Sequence, residues 1–391
     1  MEADSQQAGL RACEASAQQW TLISVAVRLA DAMGLRGVQS SQKFSELDRE
    51  LRRRLWFGIG VLDLQSAFDR GSRALLGSSE LSDWPINADD IDITAHSIVQ
   101  PVPRDRYTEM SFAHMTFHAG ICHRKLTELG ISAAYDDANA QTARQQQLAT
   151  LDDFESVVRK LEDQHGTAPT QIEAFTIMVA QESLVAMRLL FYRPLHRRGK
   201  NRETYQHGQL SNDELLIMAT EVLERSQSKR SWFQFSRWAW FKWVKWFALA
   251  VVLAELCTAR GSSADRAWAV AQRSFDDYAT IVADTKSGML WRPIAKLMQR
   301  ALSLREDQTA MSKTITPTTN GSPADIQWRG YSLGDLSQMA IPPDDQPHTA
   351  SDDTVTKTDT DVDMTWFHWD LLIEDIETGN LDLDTEYFPV G

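Results

Sequence analysis

The sequence predicts an all-α fold, a multi-helix body followed by a disordered linker and an acidic C-terminal tail. Three observations carry this. Apolar residues recur at helical spacing through most of residues 18–305. No run alternates apolar and polar residues up to an Asn-Gly or Asp-Gly turn, as a hairpin would. Helix start and stop signals fall where the periodicity breaks. At 391 residues, 43% apolar and 24% charged, the composition is that of a globular protein, which excludes a fully disordered or fibrous chain.

The elements follow in order behind an N-terminal extension, residues 1–17. A first helix from about Trp20 carries Leu22, Val25, Ala26, Leu29 and Met33 and stops at Gly34, a residue suited to a left-handed cap. A second spans Ser45 to about Phe68 with Leu47, Leu51, Leu55, Ile59 and Leu62 on one stripe. Asp48 and Arg52, and Glu50 and Arg54, stand four apart, acid first, the order that favours surface pairing. A Gly-, Ser-, Asp- and Pro-rich loop covers Gly71 to Pro103. Helices are expected at about 106–129, stopping at Gly130, then at 141–164 and 171–193, where Thr170 and Glu173 have capping-box spacing. Pro194 ends the last of these. Residues 196–202 form a basic loop. Ser211 and Glu214 open a helix to about 227, and three more are expected near 233–259, 263–284 and 289–306.

Residues 306–361 are read as a disordered linker: this Thr-, Pro-, Ser- and Asp-rich stretch offers too little to bury to offset the entropy of ordering. In the tail, residues 362–391, Trp366, Trp369, Ile373 and Ile376 fall on one helical stripe, with Leu372 beside them and acids over much of the rest. Such interleaving suits an amphipathic activation segment whose carboxylates keep the aromatics available to a partner's groove. A C-terminal helix folded back on its own core fits the same pattern, and the sequence leaves both open.

Charge divides the same way. Residues 341–391 hold fourteen acids and one base, a net −13 of the chain's −14, so the rest is nearly neutral. A pI near 5.1 argues against this chain holding DNA by itself, since phosphate binding requires concentrated Lys and Arg. Three cysteines, Cys13, Cys122 and Cys257, set far apart, provide neither a disulfide framework nor a cysteine-built zinc finger. The first residues lack the basic start and apolar run of a secretory signal, and Trp246 to Cys257 is too short for a membrane span.

Chemistry-bearing constellations are few. His114, His118 and Cys122 stand four apart on one helix, but no His-Glu-x-x-His glutamate accompanies them and Phe112, Met115 and Phe117 surround them, so core packing is favoured over a metal. The acidic runs at Asp89–Asp92, Asp152–Glu155 and Asn212–Glu214 miss the spacing of terpene-synthase magnesium motifs. No nucleophile elbow or phosphate-binding glycine loop occurs, so no catalytic residue, cofactor or metal is assigned. Arg52, Arg53 and Arg54, flanked by Glu46, Asp48 and Glu50, read as a solvated helix face rather than a phosphate patch. The Trp-rich run from Trp232 to Trp246 repeats at helical spacing and reads as core.

Taken together, these pieces resemble the fungal-specific transcription factor domain, the middle homology region of binuclear zinc cluster regulators. Residues 20–35 are similar to its opening helix. Arg53, Arg54 and Trp56, followed by Leu62 and Asp63, resemble its arginine-tryptophan helix and downstream leucine-aspartate. Trp84-Pro85 with Asp89-Asp90 resembles its Leu-Pro and acidic-pair loop, and Arg193-Pro194 its later Arg-Pro turn. The resemblance covers residues 18–305. It implies an all-helical regulatory domain, a nuclear location and a non-enzymatic role in transcription, plausibly of a secondary-metabolite gene set. Implied partners are transcription machinery or a coactivator, and a homodimer or heterodimer with a zinc-cluster regulator, with no membrane involved. The six-cysteine reader of the family is not among these residues, so DNA contact is expected through a partner or a missing N-terminal segment. The rival reading is a helical small-molecule-binding protein or enzyme with a pocket near the Trp-rich helix.

Overall fold

A computed structural model describes residues 14–36, 44–69, 72–94, 102–135, 139–164, 169–192, 210–230, 244–279 and 291–315. Among these the secondary structure is helical throughout: α1 (Glu14–Ala32), α2 (Glu46–Asp69), α3 (Ser111–Tyr135), α4 (Ala140–Asp163), α5 (Gln171–Tyr192), α6 (Asn212–Arg230), α7 (Trp246–Leu256), α8 (Ser262–Ala279) and α9 (Trp291–Ile315), with short 3₁₀ turns at Ser78–Glu80 and Asp90–Asp92. The expected caps form. Gly34 adopts φ +67° and Leu35 N–H donates to Ala30 O at 3.0 Å, closing α1 with the left-handed residue that glycine tolerates best. Thr170 and Glu173 exchange side-chain and backbone hydrogen bonds at 2.7 and 3.3 Å, and Ser211 and Glu214 do so at 2.8 and 3.3 Å.

Two apolar clusters organise the body. The larger gathers α3 to α9 around α7, whose eleven residues are all buried. Apart from Glu255 the sequence Trp-Phe-Ala-Leu-Ala-Val-Val-Leu-Ala-Glu-Leu is apolar, and a helix with so little polar face is stable in water only when neighbours cover every side. α6, α8 and α9 provide that cover. The smaller cluster joins Val27, Ala30 and Leu35 from the α1 end to Trp56, Phe57 and Val61 of α2, with Leu76, Leu81, Met110 and Phe117. Trp246 of α7 ties the end of α2 into the larger cluster by donating from Nε1 to Phe68 O at 3.0 Å, both residues being members of that cluster.

Several expectations shift. The apolar stripes noted on α1 and α2 are not the core faces: Leu22, Val25, Leu29, Met33, Leu51, Leu55 and Leu62 are exposed, while α2 buries Trp56, Phe57, Val61, Leu64 and Phe68 instead. Gly130 does not end α3. A Cβ there would lie 3.3 Å from Gln147 Nε2, which donates to Leu126 O at 2.8 Å, so the glycine admits α4 against the α3 backbone. Helix α9 runs on to Ile315, past the expected start of the linker at 306. α5 is long and apolar enough to cross a membrane by length and composition, yet Phe175, Ala180, Leu184, Met187, Leu189 and Leu190 place it in the core. The basic loop 196–202, Trp232–Trp243, the family-motif positions Arg193 and Pro194, and the tail anchors Trp366, Trp369, Leu372, Ile373 and Ile376 lie outside the described residues.

Candidate functional site

The arginine-tryptophan helix supplies the densest polar construction in the described residues, and it faces inward. Glu50 is 1% and Arg53 4% exposed, so the arginine run is not the solvated face its flanking acids suggested. Glu50 accepts Ile86 N–H at 3.0 Å and Arg54 Nε at 3.0 Å. Arg53 donates Nε to Asp83 at 2.8 Å, and Arg54 reaches Asp90 at 2.6 Å. Trp56 Nε1 donates to Glu80 O at 2.9 Å. One turn further on, a Cβ on Gly60 would sit 2.9 Å from Leu81 Cδ2, so the loop closes on α2 where the helix lacks a side chain. Each residue type follows from the task. The loop from 72 to 94 has no regular backbone pairing, and its buried N–H and C=O groups need side-chain partners.

Asp63 completes the arrangement. Its carboxylate accepts Leu75 N–H at 2.9 Å and Leu76 N–H at 3.0 Å, and it pairs with Arg124 of α3 at 3.3 Å. Arg124 in turn donates to Leu76 O at 2.8 Å and Gly60 O at 2.6 Å. Glu128 adds Ser78 N–H at 2.8 Å and Ser78 Oγ at 2.7 Å. Burial lowers the Arg124 pKa, with the Asp63 charge opposing that fall. For Arg54, burial works downward, but the hydrogen bonds it donates to Asp90 and Glu50 carry its pKa above the ordinary value.

The acidic run that superficially suggested magnesium ligands is neutralised by the chain's own arginines. Asp89 pairs with Arg106, Asp92 with Arg104 at 2.7 Å, and Asp90 with Arg54. The Glu109 backbone N–H and Arg106 hold Asp89 below the usual carboxylate range, and Arg104 does the same for Asp92. Pro85 is buried between these anchors. Among the described residues no three His, Cys, Asp or Glu side chains gather to hold a metal. His118 packs on the Trp84 ring at 4.5 Å between centroids, with His114 at 6.2 Å from the same ring, and Cys122 is buried in the larger core. A cavity of about 220 Å³ lies between Leu75, Leu76, His123, Arg124 and Ile131, small against the several hundred Å³ of ordinary ligand sites.

The buried histidines make the body acid-sensitive. Burial, with the His114 charge behind it, lowers His118 to about 4, and burial with Arg124 and Lys245 lowers His123 to about 3. In the unfolded chain both titrate near 6.5, so below that pH the unfolded state takes up protons that the folded state refuses. Stability is therefore full above about pH 6.5 and falls as the pH drops towards 4, by up to ~1.4 kcal/mol per pH unit for each histidine. His118→Phe should flatten this loss in urea midpoints taken between pH 6.5 and 4.5. An unchanged slope would exonerate His118.

Sequence reasoning found Arg53, Arg54, Trp56, Asp63 and Pro85, and the structure brings all five to one side of α2 and its loop. It missed Arg124, Asp83 and Glu128. Arg124 stands 61 positions from Asp63 with no local pattern to flag it.

Comparisons with known proteins agree on one family. Residues 10–120 match the fungal specific transcription factor domain. The C6 finger domain transcription factor adaR of Aspergillus niger is 28% identical over 325 residues, covering 78% of this chain and 40% of adaR. The C6 finger domain transcription factor nscR of Aspergillus fumigatus is 26% identical over 89% of this chain and 43% of its own. The aurofusarin cluster transcription factor aurR2 of Gibberella zeae is 23% identical over 70% of this chain and 40% of its own. The chain thus spans about two fifths of the length of these curated relatives. No solved structure matches.

Proposed function

We infer that this chain, which carries a fungal specific transcription factor domain over residues 10–120, works as a regulator of transcription in the nucleus and catalyses no reaction. The match of that domain, with relatives that are themselves transcription factors, is the observation that carries the reading. The site's chemistry agrees with it. Its charged side chains are spent on one another and on the backbone of residues 72–94, an arrangement that stiffens a scaffold and leaves no activated nucleophile or paired acid and base. Helix α2 and residues 72–94 therefore serve as a stiff frame against which α3 is set. The name of one relative, the aurofusarin cluster transcription factor aurR2, supports a secondary-metabolite gene set as the target. The six-cysteine reader named in the relatives is not among these 391 residues, whose cysteines number three, so DNA is reached through a partner regulator or through sequence beyond them.

Recruitment falls to residues 341–391, with Trp366, Trp369, Leu372, Ile373 and Ile376 as apolar anchors among carboxylates. Fusing that segment to an unrelated DNA-binding domain should raise reporter output several-fold. Trp366→Ala with Trp369→Ala should return it to background. No activation, or activation indifferent to both tryptophans, would remove the recruiting role.

A further inference from the structure

Among the described residues, the outward side of the first two helices is apolar and exposed. Leu22, Val25, Leu29 and Met33 on α1, and Leu51, Leu55 and Leu62 on α2, are between 40 and 65% exposed. Their spacings keep each set on one side of its helix, and α1 packs along α2, with Arg52 donating to Met33 O at 3.1 Å across the join. Gly58 lies in the α2 stripe, and a Cβ there would meet nothing within 4 Å, which leaves a notch among the leucines. The other large exposed apolar residues, such as Leu75, Val102, Leu148 and Ile217, are scattered singly. Scattered leucines are ordinary on a protein surface, whereas a clustered patch marks a binding surface.

We propose that residues 363–377 of this same chain dock on this α1–α2 face as an amphipathic helix. The dimensions agree: Trp366, Trp369, Ile373 and Ile376 would span ~15 Å as a helix, and Leu22 to Met33 span ~16 Å. Polarity agrees as well. The segment carries Asp363, Asp370, Glu374, Asp375 and Glu377 and no Lys or Arg, while Arg28 and Arg52 border the face. Of the acids on these two helices, Asp31 is paired with Arg36 at 3.1 Å, while Asp48, which accepts from Ser45 Oγ at 2.7 Å, keeps its charge. Reach is no obstacle, because the 48 positions from Ile315 to Asp363 allow up to ~160 Å of chain. A tether of that kind raises the local concentration of the segment enough for a modest interface to form. The contact goes beyond the regulatory reading and does not depend on it. Where the tail also recruits a partner, docking and recruitment compete for Trp366 and Trp369.

Hydrogen exchange by mass spectrometry on the full 391-residue chain tests the contact without any transcription assay. Amides of 363–377 should exchange at least tenfold more slowly than in a chain carrying Leu29→Asp and Leu55→Asp. Both positions are exposed, so the body should keep its helicity and melting behaviour, checked by circular dichroism. Trp366→Ala with Trp369→Ala, which leaves the body untouched, should release the same tail amides and speed exchange across α1. Exchange of 363–377 at the rate of an unstructured peptide in the wild type would overturn the proposal. Protection indifferent to the face variants, or protection lost on dilution as a contact between two copies would be, also overturns it.

Discussion

Replacing Asp63 with alanine should lower the unfolding free energy by about 3–5 kcal/mol, the range found when one partner of a buried ion pair is removed. The cause is what remains. Arg124 would stay buried with its charge uncompensated, and the N–H groups of Leu75 and Leu76 would lose their acceptor together. Asp63→Asn keeps one acceptor oxygen and should cost clearly less. The double variant Asp63→Leu with Arg124→Leu should cost less than the sum of the single replacements, since no orphan charge is left. Urea unfolding followed by tryptophan fluorescence measures these chains beside the wild type and the single variants Asp63→Leu and Arg124→Leu. A loss below about 1 kcal/mol for Asp63→Ala, or strict additivity in the double variant, would mean that the pair does not hold the loop.

That network shows how far the sequence could be read. Arg53, Arg54, Trp56 and Asp63 stand out through the resemblance to the family's arginine-tryptophan helix, not through any local pattern of their own. Their partners do not, because Asp83, Asp90 and Arg124 reach them across 30, 36 and 61 positions, and only the folded loop brings them near. Local charge order gave one correct pair, Glu50 with Arg54, but placed it on the surface. Flanking acids were read as a solvated face, whereas Glu50 is buried to cap the Ile86 N–H. A charge cluster looks the same in sequence whether water or a loop backbone satisfies it.

Helix positions were legible for the complementary reason. Capping boxes and left-handed glycines act within a few residues, so Thr170, Ser211 and Gly34 mark helix ends where the backbone places them. Which face is buried is not a local property. α1 is apolar over most of its circumference, and the Leu22–Met33 stripe has better periodicity than the Ile23, Val27 and Ala30 side that packs inward. Periodicity alone picks the cleaner stripe and so picked the outward one. Gly130 misled in the same manner, since a glycine that stops a helix and one that admits a neighbouring helix read alike.

Trp246→Ala should cost about 3–5 kcal/mol, the upper end for removing a large core side chain. Trp246 is fully buried at the start of α7, its ring lies 5.4 Å from Phe68, and its Nε1 holds the Phe68 carbonyl at the end of α2. The loss therefore has two parts, a cavity among the helices around α7 and a buried carbonyl deprived of its donor. Trp246→Phe separates them: it restores much of the ring volume and removes only the indole donor to that carbonyl, for about 1–3 kcal/mol. Because the residue fastens the end of α2 to the helices around α7, the destabilisation should be global. Far-UV circular dichroism and the fluorescence of the remaining tryptophans, Trp56 among them, should shift their urea midpoints together. If helicity and fluorescence instead part company in Trp246→Phe, α2 and the helices around α7 unfold as separate units, and the Trp246–Phe68 contact is what couples them.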